Sequence, residues 1–189
     1  IVTIPESYTA TIGDFPADDT ATPAIQCTST GGSGALAISG TLIFRGPVRQ
    51  CNSAWTVGPG AMVTHDSSGA AAPADTHYTW KLGLVNGQSA SRLVIEGTAE
   101  RRAVFNIAAD SGNAGGFQGG TLTTQDAGQV QASYANFSHW GTATSYFLRA
   151  WPHTQGAAAY FDSCNINNSG PISLYGIRPN VTFRLLKTV

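Results

Sequence analysis

Apolar and polar residues alternate along this chain over short stretches, break at a Gly-centred turn, and then alternate again. Ala37-Ile38-Ser39-Gly40-Thr41-Leu42-Ile43-Phe44 is the clearest instance. The same phrase returns at Trp55-Thr56-Val57-Gly58-Pro59-Gly60-Ala61-Met62-Val63 and at Leu93-Val94-Ile95-Glu96-Gly97-Thr98-Ala99, with a looser copy at Gly119-Gly120-Thr121-Leu122-Thr123. A period of two predicts β-strands whose alternate side chains face a core. Each strand is too short to bury its own apolar face. Copies recurring at roughly 20–30 residues therefore mark a solenoid, in which neighbouring coils cover one another. No segment keeps a 3.6-residue period over three turns, so a helix is expected only as a short cap. A β-sandwich is the alternative all-β fold. It needs antiparallel hairpins with tight turns, and Asn86-Gly87 is the only Asn-Gly dipeptide in the chain.

The pattern divides the chain in two. Residues 1–35 read as an N-terminal strand, Ile1-Val2-Thr3-Ile4, followed by an extended lead-in or cap broken by Pro5, Pro16 and Pro23 and closed by Gly31-Gly32-Ser33-Gly34. Residues 36–189 read as stacked coils, with further strands at Thr79–Leu84 and Val104–Ile107. The clearest internal match lies in the second half. Ser133-Tyr134-Ala135-Asn136-Phe137-Ser138-His139-Trp140-Gly141 lines up with Asp162-Ser163-Cys164-Asn165-Ile166-Asn167-Asn168-Ser169-Gly170. Asn136 and Asn165 then fall on equivalent positions, where stacked amides hydrogen-bond along a ladder and hold a turn; this is a structural role, not a catalytic one. The chain opens at Ile1 and stops inside an apolar alternation, Phe183 to Val189. It is read as a piece of something longer, whose bare last coil would invite end-to-end self-association.

Composition sharpens this picture. Apolar residues make up 42% of the chain and charged residues only 11%, against about 25% in an average globular protein. Long surface helices draw on Glu, Lys and Arg, so they are disfavoured. The wet faces must be covered by Thr, Ser, Asn, Gln and Gly. A net charge of −1 leaves no electrostatic footprint for nucleic acid or an anionic membrane. No apolar run is long enough for a membrane span.

There are three cysteines. Cys27 and Cys51 lie about one repeat apart, and positions one coil apart stack within disulfide reach. They are a candidate bridge or, alternatively, two buried thiols acting as small hydrophobes. Cys164 lies in an apolar alternation and reads as an inert core thiol.

Ser39-Gly40-Thr41-Leu42 and Val57-Gly58-Pro59-Gly60-Ala61 have the cadence of coils in secreted bacterial β-helix proteins. Leu93 to Phe105, Tyr134 to Phe137 and Phe161 to Ile166 resemble the coils that follow. Over residues 36 to 186 the chain resembles a right-handed parallel β-helix of the pectate-lyase-like superfamily. That resemblance implies a secreted or cell-surface setting. It does not by itself imply an activity, because the same coils carry lyases, hydrolases, adhesins and inert stalks.

The superfamily's hydrolases have Asn-Thr-Asp, Asp-Asp, Gly-His-Gly and Arg-x-Lys motifs. Here only Asp18-Asp19 appears, and it lies in the lead-in. After Glu100 the acids are Asp110, Asp126 and Asp162, too few for an acidic calcium cluster, and a pair of carboxylates for glycoside hydrolysis is hard to assemble from them. The best catalytic candidate is Arg149, His153 and Asp162, with His139 a coil earlier. There a His could act as general base while Arg neutralises a uronate. The competing reading is a surface Arg149–Asp162 pair with His153 capping a turn. His65, Asp66, Asp75 and His77 flank one loop without tight metal-ligand spacing, so neither a metal nor a cofactor is expected. Trp140, Tyr146, Trp151, Tyr160 and Tyr175 crowd the second half. Trp140 and Trp151, if exposed on one face, would be platforms for sugar rings. The favoured function is a non-catalytic stalk, adhesin or glycan-binding domain of a secreted or surface protein. The alternatives are a fragment of a polysaccharide lyase or glycoside hydrolase with an incomplete site, and a virion or fibre component.

Overall fold

A computed structural model describes residues 1–13, 34–46, 48–50, 52–66, 80–82, 91–107, 122–125, 128–140, 147–151, 158–174 and 182–189. The described residues form strands and turns and no helix. Sheet one holds seven strands: β1 (Val2–Ile4), β3 (Gly34–Ile38), β6 (Ser53–Val57), β9 (Ser91–Glu96), β12 (Gly128–Ser133), β15 (Ala158–Asp162) and β18 (Thr182–Leu186). Sheet two holds six: β2 (Thr9–Ile12), β4 (Thr41–Phe44), β7 (Met62–His65), β10 (Ala103–Ile107), β13 (Ala135–Ser138) and β16 (Asn165–Asn167). Sheet three holds five: β5 (Val48–Gln50), β8 (Trp80–Leu82), β11 (Leu122–Gln125), β14 (Leu148–Trp151) and β17 (Ile172–Leu174).

Neighbouring strands in each sheet are separated in sequence by strands of the other sheets, and every described pairing is parallel. This is an all-β arrangement of parallel sheets, consistent with a β-solenoid. The antiparallel hairpins that a β-sandwich requires are not what these strands make. Thr9–Ile12, read from the sequence as extended lead-in, is a strand paired in register with Thr41–Phe44.

The period-two pattern sets the burial. Along β4 and β6 every second side chain is buried, and register carries the buried positions from coil to coil. In sheet one Ile4, Ile38, Val57, Ile95, Ala132 and Phe161 form one inward column. In sheet two Leu42, Val63, Phe105 and Phe137 form another. Rings continue from coil to coil through the interior. Trp80 meets Phe105 at 5.0 Å between centroids, Phe105 meets Phe137 at 5.7 Å, and Phe137 meets Phe161 edge-on at 5.6 Å. Each such pair contributes roughly 0.5–1.5 kcal/mol beyond its buried area.

The corners between sheets one and two are built in two ways. Early coils use glycine. A Cβ on Gly40 would land on the carbonyls of Pro5 and Tyr8, and one on Gly97 would land on the carbonyl of Tyr134. Later coils turn on one residue in left-handed backbone: Tyr134 (φ 46°), Ser163 (φ 54°) and Lys187 (φ 45°). These stack by backbone bonds, Tyr134 N to Asp162 O at 3.0 Å and Ser163 N to Leu186 O at 2.8 Å. His139 (φ 62°) and Asn168 (φ 48°) turn the chain out of sheet two in the same way.

Gln50 is a buried amide in the wall of sheet three. Its Nε2 donates to Arg92 O at 2.8 Å and Ser53 O at 3.2 Å, and its Oε1 accepts from Trp80 Nε1 at 3.3 Å. Fully partnered, it ties sheet three to sheet one without the penalty of an orphaned polar group.

Candidate ligand-binding face

Of the candidate catalytic residues, Asp162 and His139 are described together with the strand position of Arg149. Asp162 ends β15 at the corner between sheets one and two, exposed, with Oδ1 accepting from Ser163 Oγ at 3.0 Å. His139 follows β13 at the far corner of sheet two, half-buried, its N–H on Asn167 O at 3.2 Å. The strand between those corners separates the two residues. Arg149 is the second residue of β14 in sheet three, in register with Thr123 and Ser173. His153 lies outside the described residues, as do Cys27, Cys51, Asp75 and His77.

Trp140 is a core residue, not an exposed platform. It is 0% exposed, its ring stacks on Phe105 at 5.2 Å, and Nε1 donates to Phe105 O at 2.9 Å. A ring sealed this way cannot meet a sugar. Trp151 ends β14 opposite Gln125. His65 is buried with its ring against Phe44, Trp80 and Trp140, while Asp66 pairs with Arg45 at 3.3 Å. Among the described residues no group of three or more His, Cys, Asp or Glu is placed to hold a metal ion. Among the described residues no helix is long and apolar enough to cross a membrane. Cys164 is a buried free thiol, as its alternation suggests. Burial pushes its pKa above 9.0, against the opposing pull of a backbone hydrogen bond from Ala135.

Asn136 and Asn165 are paired in register on β13 and β16, 29 residues apart, and Asn165 Nδ2 donates to Asn136 Oδ1 at 3.0 Å. They sit inside the strands; the left-handed corner positions beside them belong to Tyr134 and Ser163. Arg102 Nε also donates to Asn136 Oδ1, at 2.9 Å, and Arg102 Nη2 reaches the Ser163 carbonyl. The Arg102 guanidinium lies 5.8 Å from the Tyr134 ring centroid, a cation–π contact. One arginine thus clamps three successive coils at this corner.

The outward side of sheet one is the chemically richest surface described. Its middle column runs Thr3, Ala37, Thr56, Val94, Gln131, Tyr160, Arg184 from β1 to β18. Tyr160 is 37% exposed, and Gln131 and Arg184 are exposed on either side of it. Beside Val94 and Gln131, Arg92 and Gln129 are exposed in the next column, and Arg92 Nη2 donates to Gln131 Oε1 at 2.9 Å. On the other flank Glu96, Ser133 and Asp162 share a register line. Tyr160 was visible in the sequence as one of the second-half aromatics. Arg92, Gln129 and Gln131 were not singled out. The signal was there, because they are the polar members of the alternations that place Leu93 and Val130 in the core. Comparison with protein-family models, with curated proteins and with solved structures finds no match to this chain.

Proposed function

We propose that this chain is a non-catalytic β-solenoid domain of a secreted or cell-surface protein that serves as a rigid stalk and binds glycan. Its architecture is read as the right-handed parallel β-helix of the pectate-lyase-like superfamily. The parallel sheets and the resemblance of the early coils support that assignment, and the secreted setting rests on the resemblance. The observation that carries glycan binding is Tyr160, held exposed on a β-strand between Gln131 and Arg184. A tyrosine ring offers a flat apolar face and a polar tip, and neighbouring amides both donate to and accept from hydroxyls. The non-catalytic reading rests on the absence from the sequence of the superfamily's Asn-Thr-Asp, Gly-His-Gly and Arg-x-Lys motifs.

A panel of soluble and insoluble polysaccharides, neutral and acidic, tests the reading. Retention of the protein on one or more, with no new reducing ends and no unsaturated products, is the expected result. Release of either product would make the chain an enzyme, and absence of retention on every polymer would remove the glycan reading.

A further inference from the structure

Sheet two differs from the other two sheets in what its strands lack. Sheet one carries Arg92, Glu96, Asp162 and Arg184 on its strands, and sheet three carries Arg49, Lys81 and Arg149. The six described strands of sheet two hold no Asp, Glu, Lys or Arg. Charge stands only at their margins: Arg102, bonded to Asn136, just before β10, and the Arg45–Asp66 pair just after β4 and β7. Between those margins lie two outward columns in register. One runs Thr11, Ile43, Thr64, Asn106, Ser138, Asn167; the other begins at Thr9 and Thr41 and ends at Asn136 and Asn165. We propose that this two-column face binds the surface of an ice crystal. It is a second function, on a different sheet from the glycan reading, and does not depend on it.

Order in two directions is the first support. Strands in register repeat at about 4.7–4.9 Å, and residues i and i+2 of one strand lie about 6.6–6.8 Å apart. Both spacings are close to oxygen repeats in hexagonal ice. A polymer chain is read along one direction, whereas a crystal surface matches both at once.

The chemistry of the columns is the second. Nine of their twelve residues are Thr, Ser or Asn, and the other three are Ile43, Met62 and Val104. Hydroxyls and amides both donate and accept, as every water of the lattice does. The methyl groups between them restrict the orientation of the water that covers them. Threonine is stiff at χ1, and bonds between coils fix other members. Thr64 Oγ1 donates to Asn106 Oδ1 at 2.6 Å, and Asn165 Nδ2 donates to Asn136 Oδ1 at 3.0 Å. Little side-chain ordering is left to be done on binding.

The third support is what the face cannot serve. A charged ligand would be desolvated over the columns without a counter-charge, which is costly. Protein interfaces are anchored chiefly by Trp, Tyr and Arg, and these columns hold no aromatic ring and no arginine. An uncharged lattice of donors and acceptors needs neither.

The test is ice growth in a solution of the whole chain. A single crystal is watched just below its melting point, and recrystallisation of a frozen film is the second readout. Crystals should become faceted, freezing should occur below the melting point, and grains should coarsen more slowly than in serum albumin at equal mass. Thr41→Lys and Ser138→Lys each set a charge in the middle of one column and should lose most of the gap between melting and freezing. Ala54→Lys, at an exposed position on sheet one, should keep it, and circular dichroism checks that every variant keeps its fold. A gap that survives both column variants, or that Ala54→Lys removes as well, would overturn the site. Rounded crystals and no gap in the wild type would overturn the proposal. Sedimentation and a crystalline-cellulose pull-down would then show whether a second copy or a solid polysaccharide takes this face instead.

Discussion

Asn136 and Asn165 stand one above the other on successive strands of sheet two, joined by an amide–amide hydrogen bond of 3.0 Å. They differ in how much else depends on them. Asn136 Oδ1 also accepts from Arg102 Nε at 2.9 Å, whereas the bond to Asn136 is the side-chain contact that fixes Asn165 in the ladder. Asn165→Ala removes one part-buried hydrogen bond, at about 0.5–1.5 kcal/mol. Asn136→Ala strips the acceptor from two donors, one of them charged, and should cost about 2–3 kcal/mol. Urea denaturation should place Asn136→Ala clearly below Asn165→Ala in midpoint, with similar slopes. Equal losses would mean that the Arg102 contact contributes nothing.

Glycine at the corners makes a sharper contrast. Gly97 has the carbonyl of Tyr134 and the Ala103 nitrogen where a Cβ would go, while a Cβ on Gly34 would meet nothing within 4 Å. The clash at Gly97 is with backbone, which cannot swing aside. Gly97→Ala should therefore destabilise by about 1–3 kcal/mol, a fall in Tm of roughly 2–4 °C per kcal/mol in a chain of this size. Gly34→Ala should be neutral or slightly stabilising, because it narrows the unfolded ensemble. Thermal melts of the two variants decide it, and a Gly97→Ala protein melting with the wild type would contradict the close approach of these two coils.

The fold was legible in the sequence to an unusual depth in some places and not in others. Lining up Ser133–Gly141 with Asp162–Gly170 gave the register of β12 with β15 and of β13 with β16, down to the corner residues Tyr134 with Ser163 and His139 with Asn168. This worked because parallel strands in register repeat one local solution, so two stretches of equal length align without gaps. What failed to carry through was facing. Trp140 was a candidate sugar platform on condition that it is exposed, and it is buried. His139 turns in left-handed backbone, and a period-two count cannot be carried across such a corner. One residue past it, Trp140 enters the core. The face on sheet one was hidden for a related reason. Arg92, Gln129 and Gln131 come from two separate stretches of chain, and only the strand register makes them neighbours.

Tryptophan burial is directly measurable. Trp80 and Trp140 are 0% exposed and Trp55 is 6% exposed. A Trp151→Phe variant, carrying only these three, should emit at short wavelength in the native state and be quenched weakly by acrylamide. Both properties should switch to those of exposed indole on denaturation. Trp140→Ala should lose about 3–5 kcal/mol, because it removes the Phe105 stack and leaves Phe105 O without the Nε1 donor. Native emission typical of solvated indole in the three-tryptophan variant would show that the interior is open.

Cys164 supplies a pH-dependent reporter of the last coils. Its thiol is fully buried, and burial, the largest influence on it, holds its pKa above 9.0. At pH 8 the native thiol is therefore protonated as well as shielded, and the thiolate is the nucleophile. Alkylation by iodoacetamide should be slow in the native protein and rapid in urea. The sign for stability follows from the same displacement. Well below its ordinary pKa the thiol is protonated in both states and contributes no pH dependence. As pH rises past the unfolded value, the unfolded chain releases this proton and the native chain holds it, so stability falls. Cys164→Ala should flatten that fall as pH rises past the ordinary thiol pKa, at the separate expense of a small core cavity that lowers stability at every pH. An identical pH slope in wild type and Cys164→Ala would mean that this thiol titrates normally and that the packing of Cys164 beneath the Ser163 corner is looser than described.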